Sequence, residues 1–143
     1  MTRNNKIELL APAGNLEILK VAVDSGADSV YLGLKEYSAR AGAENFTLDD
    51  LEQGVDYAHL RSSKVFLAVN TLMSDQEFEV FYPTIAEAVN IGIDGLIVQD
   101  IAVLKKLTED FPDVTINCST QMNVYSSDEF KKLSERGCYL NWV

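Results

Sequence analysis

The chain has 143 residues, 47% of them apolar, and a net charge of −10 at neutral pH. That length allows one domain that buries roughly 70% of its unfolded surface, and so acidic a chain repels phosphate backbones at long range, which counts against these residues alone forming a nucleic-acid platform. No apolar run approaches the ~20 residues of a membrane span. Met1 to Lys6 is polar and leads into no secretory apolar core. The two cysteines, Cys118 and Cys138, form no C-x-x-C pair, and two alone do not make a disulfide framework. A cytoplasmic protein with reduced thiols and no membrane contact is the simplest expectation.

Ile7 to Ala11 reads as a short strand that Pro12-Ala13-Gly14 breaks. Asn15 can cap a helix with Leu16, Leu19 and Val23 on one face, and Gly26 ends it. Ser29 to Leu32 is the second strand, followed by Gly33 and a longer loop. Thr47-Leu48-Asp49-Asp50 has the capping-box pattern, and Leu51, Val55 and Ala58 share a face of the helix behind it. Lys64 to Val69 is the third strand. Ser74-Asp75-Gln76-Glu77 opens a helix that runs to about Ile91, contains Pro83 as a possible kink point, and ends at Gly92. Gly95 to Val98 is the fourth strand. Asp100 can cap the helix carrying Val103, Leu104 and Leu107. Val114 to Cys118 is the fifth strand, and Ser126-Ser127-Asp128-Glu129 opens a fifth helix ending near Gly137.

Short apolar strands alternating with amphipathic helices predict an α/β fold with a parallel sheet and helices packed outside it. No linker divides the chain, and no close repeat beyond the strand–helix period is evident. An open doubly wound sheet would show a glycine fingerprint after its first strand. Here that turn reads Ala11-Pro12-Ala13-Gly14-Asn15, with one glycine. Polar residues instead follow several successive strands, as in a (β/α) TIM-like barrel, which gathers its functional groups on that face. A closed barrel takes about 250 residues. The expectation is therefore an incomplete barrel of about five strand–helix units out of eight, a single domain over 1–143.

The candidate binding residues follow from that face. Gly33, Asn70, Gln99, Asp100 and Gln121 lie at or just past strand ends. Amides donate and accept, so Asn70, Gln99 and Gln121 suit recognition of a peptide or a base edge. The competing structural role is capping by Asp100 and turn formation by Asn70. Arg40, beside Ala41-Gly42-Ala43 in the long second loop, could hold a carboxylate or phosphate, or be a plain surface arginine. His59, the only histidine, falls on the second helix, away from the strand ends, and reads as an ordinary helix residue. Cys118 alternates with Ile116 and reads as a buried thiol packing the sheet. No metal-binding spacing and no nucleophile–base set is present, so the catalytic residues stay unassigned.

Six segments in order carry a family resemblance. They are Glu8 to Glu17, Ala27 to Gly33, Arg40 to Phe46, Val69-Asn70-Thr71-Leu72, Leu96 to Asp100 and Ser119 to Asn123. Together they resemble the collagenase-like peptidase family, the U thirty-two peptidases, over nearly the whole chain from Ile7 to Gly137. The resemblance implies a barrel-type enzyme group that contains peptidases (hydrolases) and proteins that hydroxylate RNA bases or a quinone precursor. It also implies a peptide or RNA substrate and, in full-length relatives, an iron–sulfur cluster whose ligands lie beyond this chain. Such relatives would continue into a Val-rich sixth strand after Gly137, where this chain reads Cys138-Tyr139-Leu140-Asn141-Trp142-Val143. The expectation is a truncated N-terminal part of a family barrel, inactive alone and able to self-associate through open sheet edges. The alternative is a non-catalytic interaction module using the same edges.

Overall fold

A computed structural model of the chain describes residues 7–35 and 45–139. The elements run β1 (Leu10–Pro12), α1 (Leu16–Asp24), β2 (Ser29–Leu32), α2 (Leu48–His59), β3 (Lys64–Val69), α3 (Asp75–Ile91), β4 (Gly95–Val98), α4 (Ile101–Asp110), β5 (Thr115–Cys118), a 3-10 turn (Thr120–Met122), α5 (Ser127–Glu135) and β6 (Cys138–Tyr139). All pairings are parallel, in the order β1-β2-β3-β4-β5-β6. No strand sits between the first two, which excludes the doubly wound alternative. The five expected strand–helix units are present, and the two-residue β6 extends the sheet beyond them. Among the described residues β1 and β6 are its edges, and the sheet is not closed.

The helix starts follow from the residues that precede them. Asn15 accepts the Ile18 N–H at 2.9 Å. Thr47 with Asp50, Ser74 with Glu77 and Ser126 with Glu129 form complete capping boxes, so that side chains satisfy backbone N–H groups the helix leaves without partners. Pro83 is accommodated within α3 on its exposed side.

Strand alternation sorts the sheet into two faces. Val30, Leu32, Val65, Leu67, Val69, Leu96, Val98 and Ile116 are buried, as are Leu19, Leu51, Val55, Phe81, Ile85, Leu104 and Leu107 on the helices. These residues make one core between sheet and helices. The opposite parity carries Tyr31, Phe66, Ala68 and Ile97, all only partly buried. Register sets Tyr31 beside Phe66, and Ile97 between Ala68 and Asn117.

Two expectations change. The first strand is shifted: it includes Pro12, while Ile7 and Leu9 are exposed. Pro12 is tolerated because β1 has one neighbour among the described residues, so a missing N–H on its other side breaks no ladder there. A Gly-x-Asp turn also recurs, two strand–helix units apart, before β2 and β4. Gly26-Ala27-Asp28 and Gly92-Ile93-Asp94 each pair a left-handed glycine (φ +97° and +108°) with an aspartate that ties two strands. Asp28 Oδ2 accepts from Leu9 N at 2.9 Å, and Asp94 Oδ2 from Val65 N at 2.7 Å. The aspartate N–H groups return the bond to the Leu9 and Val65 carbonyls, each at 2.9 Å.

The second change concerns the thiols. Cys118 and Cys138 are joined in a disulfide, with their Cα atoms 6.3 Å apart, rather than being separate reduced cysteines. Adjacency of β5 and β6 brings together two residues 20 apart in sequence, which spacing alone did not foretell.

Candidate functional site

Because every strand is parallel, all the strand C-termini fall along one edge of the sheet. Gly33 follows β2 and is half-buried, and its carbonyl accepts the Phe46 N–H at 3.0 Å. Asn70 follows β3 and Gln99 follows β4, both half-buried. Each continues the parity of the open face, after Ala68 and Ile97 respectively. Asp100 caps α4, its Oδ1 accepting Ala102 N at 2.7 Å and Val103 N at 3.2 Å. Its structural role is thus explicit. Gln121 is exposed in the 3-10 turn, and its N–H is held by the Ser119 hydroxyl at 3.3 Å. Arg40 lies outside the described residues. Chain position therefore brings Gly33, Asn70, Gln99, Asp100 and Gln121 to one edge.

The sequence reading overlooked Asn117 and Ser119, which are buried polar residues on the same parity of β5 and its exit. A polar residue inside the apolar run Thr115-Ile116-Asn117-Cys118 was the available signal. It also overlooked Tyr31, whose period-two placement opposite the helix-facing residues marked it for the open face beside Phe66.

His59 is at the other end. It closes α2 next to the start of β4, where its Nε2 donates to Asp94 Oδ2 at 2.8 Å. A cleft of about 390 Å³ beside it is lined by Asp56, His59 and Leu60. His59 thus has a specific partner, on the edge where strands begin. What the C-terminal edge offers is amides, hydroxyls and backbone groups beside an apolar, partly aromatic face.

Three comparisons with known proteins bear on this arrangement. The sequence profile described as Peptidase family U32 matches residues 14–139. The chain belongs to peptidase family U32. This U32 chain is 38% identical over 121 residues to an uncharacterized protease of Methanocaldococcus jannaschii, covering 85% of the chain and 29% of that protein. It is 35% identical over 134 residues to a 23S rRNA 5-hydroxycytidine synthase of Escherichia coli, covering 94% of the chain and 20% of the synthase. Among solved structures it resembles a U32 peptidase with a TM-score of 0.75 and 16% identity, covering 96% of the chain and 59% of the peptidase. The U32 chain therefore spans between a fifth and a third of the length of the curated relatives described here.

The iron–sulfur cluster implied by the family resemblance does not fit the cysteines of this U32 chain. Such clusters are held by cysteine thiolates, ordinarily four. The chain has two cysteines, and they are bonded to each other. Among the described residues no group of three or more His, Cys, Asp or Glu could hold a metal ion.

Proposed function

We propose that these residues are the N-terminal strand–helix units of a larger U32 barrel, form part of its substrate surface, and have no catalytic activity alone. One observation carries the reading. The strand-end edge gathers Asn70, Gln99, Asn117, Ser119 and Gln121, whereas the single histidine is committed to Asp94 at the opposite edge. General acid–base or nucleophilic chemistry needs a base within hydrogen-bond reach of its partner. Such a pair would have to come from further strand–helix units, on the same polypeptide or another. The substrate is a peptide or an RNA base, the two classes named among the relatives. Both present amide-like edges that Asn and Gln side chains match. Arg40 belongs to the same proposed surface, and the iron–sulfur cluster to other parts of the larger barrel. Kinship with an rRNA-modifying protein favours a cytoplasmic location. No helix of the described residues is long and apolar enough to cross a membrane.

The test has two arms. Purified chain is incubated with collagen-derived peptides and with unmodified RNA, and cleavage and base hydroxylation are followed by mass spectrometry. Neither is expected, and turnover of either substrate would overturn the reading. In the second arm, binding of labelled peptide and RNA is compared with that of the Asn70→Ala/Gln99→Ala variant. Loss of one or two hydrogen bonds of about 1 kcal/mol each weakens binding roughly 5- to 30-fold. Unchanged affinity for both ligands would remove these residues from the site.

A second reading rests on the sheet edge. Ile7 and Leu9 just before the edge strand β1, and Ile18 and Val21 on α1, are exposed apolar residues. A strand edge with an apolar margin is a template for pairing with another chain. This supports self-association or an interaction role.

A further inference from the structure

We propose that the Cys118–Cys138 bond is an oxidation-dependent staple that decides whether the α5–β6 unit is docked on the sheet. Among the described residues the unit has a small contact with the sheet. Strand β6 is two residues long and pairs with β5 at two positions, Ile116 with Cys138 and Asn117 with Tyr139. Helix α5 buries a single residue, Leu133. By contrast, α2 buries Leu51, Gly54, Val55 and Ala58. The bond brackets the 3-10 turn and α5, so the segment it fastens includes Ser119 and Gln121 at the strand-end edge.

Both cysteines are inaccessible, at 7% and 3% exposure, so a reductant reaches the sulfurs after local opening of α5–β6. Reduction then proceeds by thiol–disulfide exchange with a dithiol. One thiolate of the reductant attacks a sulfur of the pair and forms a mixed disulfide, and the other cysteine leaves as thiolate. The reductant's second thiol then displaces the remaining cysteine. Two electrons and two protons pass to the chain, and the reductant becomes its own disulfide. A small-molecule disulfide runs the same steps in reverse. In a reducing cytoplasm the thiol form prevails at rest, and oxidation fastens the unit.

The measurement is hydrogen exchange of the full chain, oxidised and after treatment with dithiothreitol. Reduction is expected to speed exchange at least tenfold across residues 127–139 and to leave β2, β3 and β4 unchanged. Oxidised glutathione restores the slow pattern. Cys118→Ser and Cys138→Ser each reproduce the reduced pattern and abolish the response to reductant. The inference fails if oxidised and reduced chains exchange alike. It fails equally if reduction releases the whole sheet, or if thiol titration finds both cysteines free after exposure to oxidised glutathione. The readout does not depend on substrate or catalysis, so it stands apart from the proposed binding function.

Discussion

At Gly95 a methyl group would lie 2.5 Å from the Thr115 carbonyl oxygen and 2.6 Å from the Phe66 ring. The ring can turn aside, but the backbone oxygen of the paired strand cannot. Gly95→Ala is therefore expected to destabilise the chain by about 1–3 kcal/mol, as overpacking does, and Phe66→Leu in the same chain recovers only part of the loss. Urea unfolding of the two single variants and the double variant checks both statements. Full recovery would show that the ring alone sets the constraint. Asp94 is a second such position, since one carboxylate oxygen accepts both the Val65 N–H and His59. Asp94→Ala leaves the N–H of a fully buried residue without its partner, at a cost of about 1–3 kcal/mol. His59→Ala leaves that bond in place and costs less. The reverse order in denaturation midpoints would contradict this account. Neither position could be valued from the sequence. Gly95 read as the start of a strand and His59 as an ordinary helix residue, because their partners lie on neighbouring elements.

The elements themselves were legible because their punctuation is local. Thr47, Ser74, Ser126, Asn15 and Asp100 all cap the helices they were expected to start. The three capping boxes also make the fold acid-sensitive. Hydrogen bonds hold three carboxyls below their usual values: from the Thr47 hydroxyl and backbone for Asp50, from the Ser74 backbone and hydroxyl for Glu77, and from the Tyr125 and Ser126 backbones for Glu129. A carboxyl with a depressed folded pKa stabilises the fold above its unfolded value, 3.8 for Asp and 4.5 for Glu. That contribution fades as the pH falls below about 4.5 and is lost once it passes below the folded values. Thermal unfolding followed by circular dichroism should show the midpoint flat down to about pH 5 and falling below it. Replacing Glu77 and Glu129 by Gln should flatten that fall, and an equally steep drop in the double variant would assign acid lability elsewhere. Ser126→Ala is expected to cost about 1 kcal/mol. With only Leu133 buried on α5, the loss should show mainly as fraying of α5 in hydrogen exchange.

For the whole molecule, strand parity decides which apolar residues enter the core. Val30 and Leu67 face the helices and are fully buried, while Tyr31, Phe66 and Ile97 occupy the open face. In a strand a shift of one residue reverses the face, so Val30 and Tyr31, adjacent in sequence, end on opposite sides of the sheet. The exposed apolar residues before β1 and on α1 should then drive concentration-dependent association. Sedimentation velocity across a hundredfold range of concentration is expected to show species larger than a monomer, and Leu9→Lys or Val21→Lys should shift the distribution toward monomer. A monomer at every concentration would argue that these residues are simply tolerated at the surface.

Sequence alone determined the class of fold, the order of five strands and five helices, the helix caps, and the family. Each of these is written in local signals: period-two and period-3.6 apolar patterns, a Ser or Thr three residues before an acid, a glycine after a helix. It also placed Gly33, Asn70, Gln99, Asp100 and Gln121 near strand ends, because a parallel sheet turns chain position into a common edge. Tertiary structure decided everything that depends on a neighbour. The pairing of β5 with β6 joined Cys118 to Cys138, and register put Phe66 over Gly95. The two Gly-x-Asp turns acquired their role only when Leu9 and Val65 came alongside. These outcomes rest on which strand lies beside which, at spacings of 19 to 56 residues for bonds such as Asp28 to Leu9 and Lys64 to Glu8, beyond the reach of any local pattern.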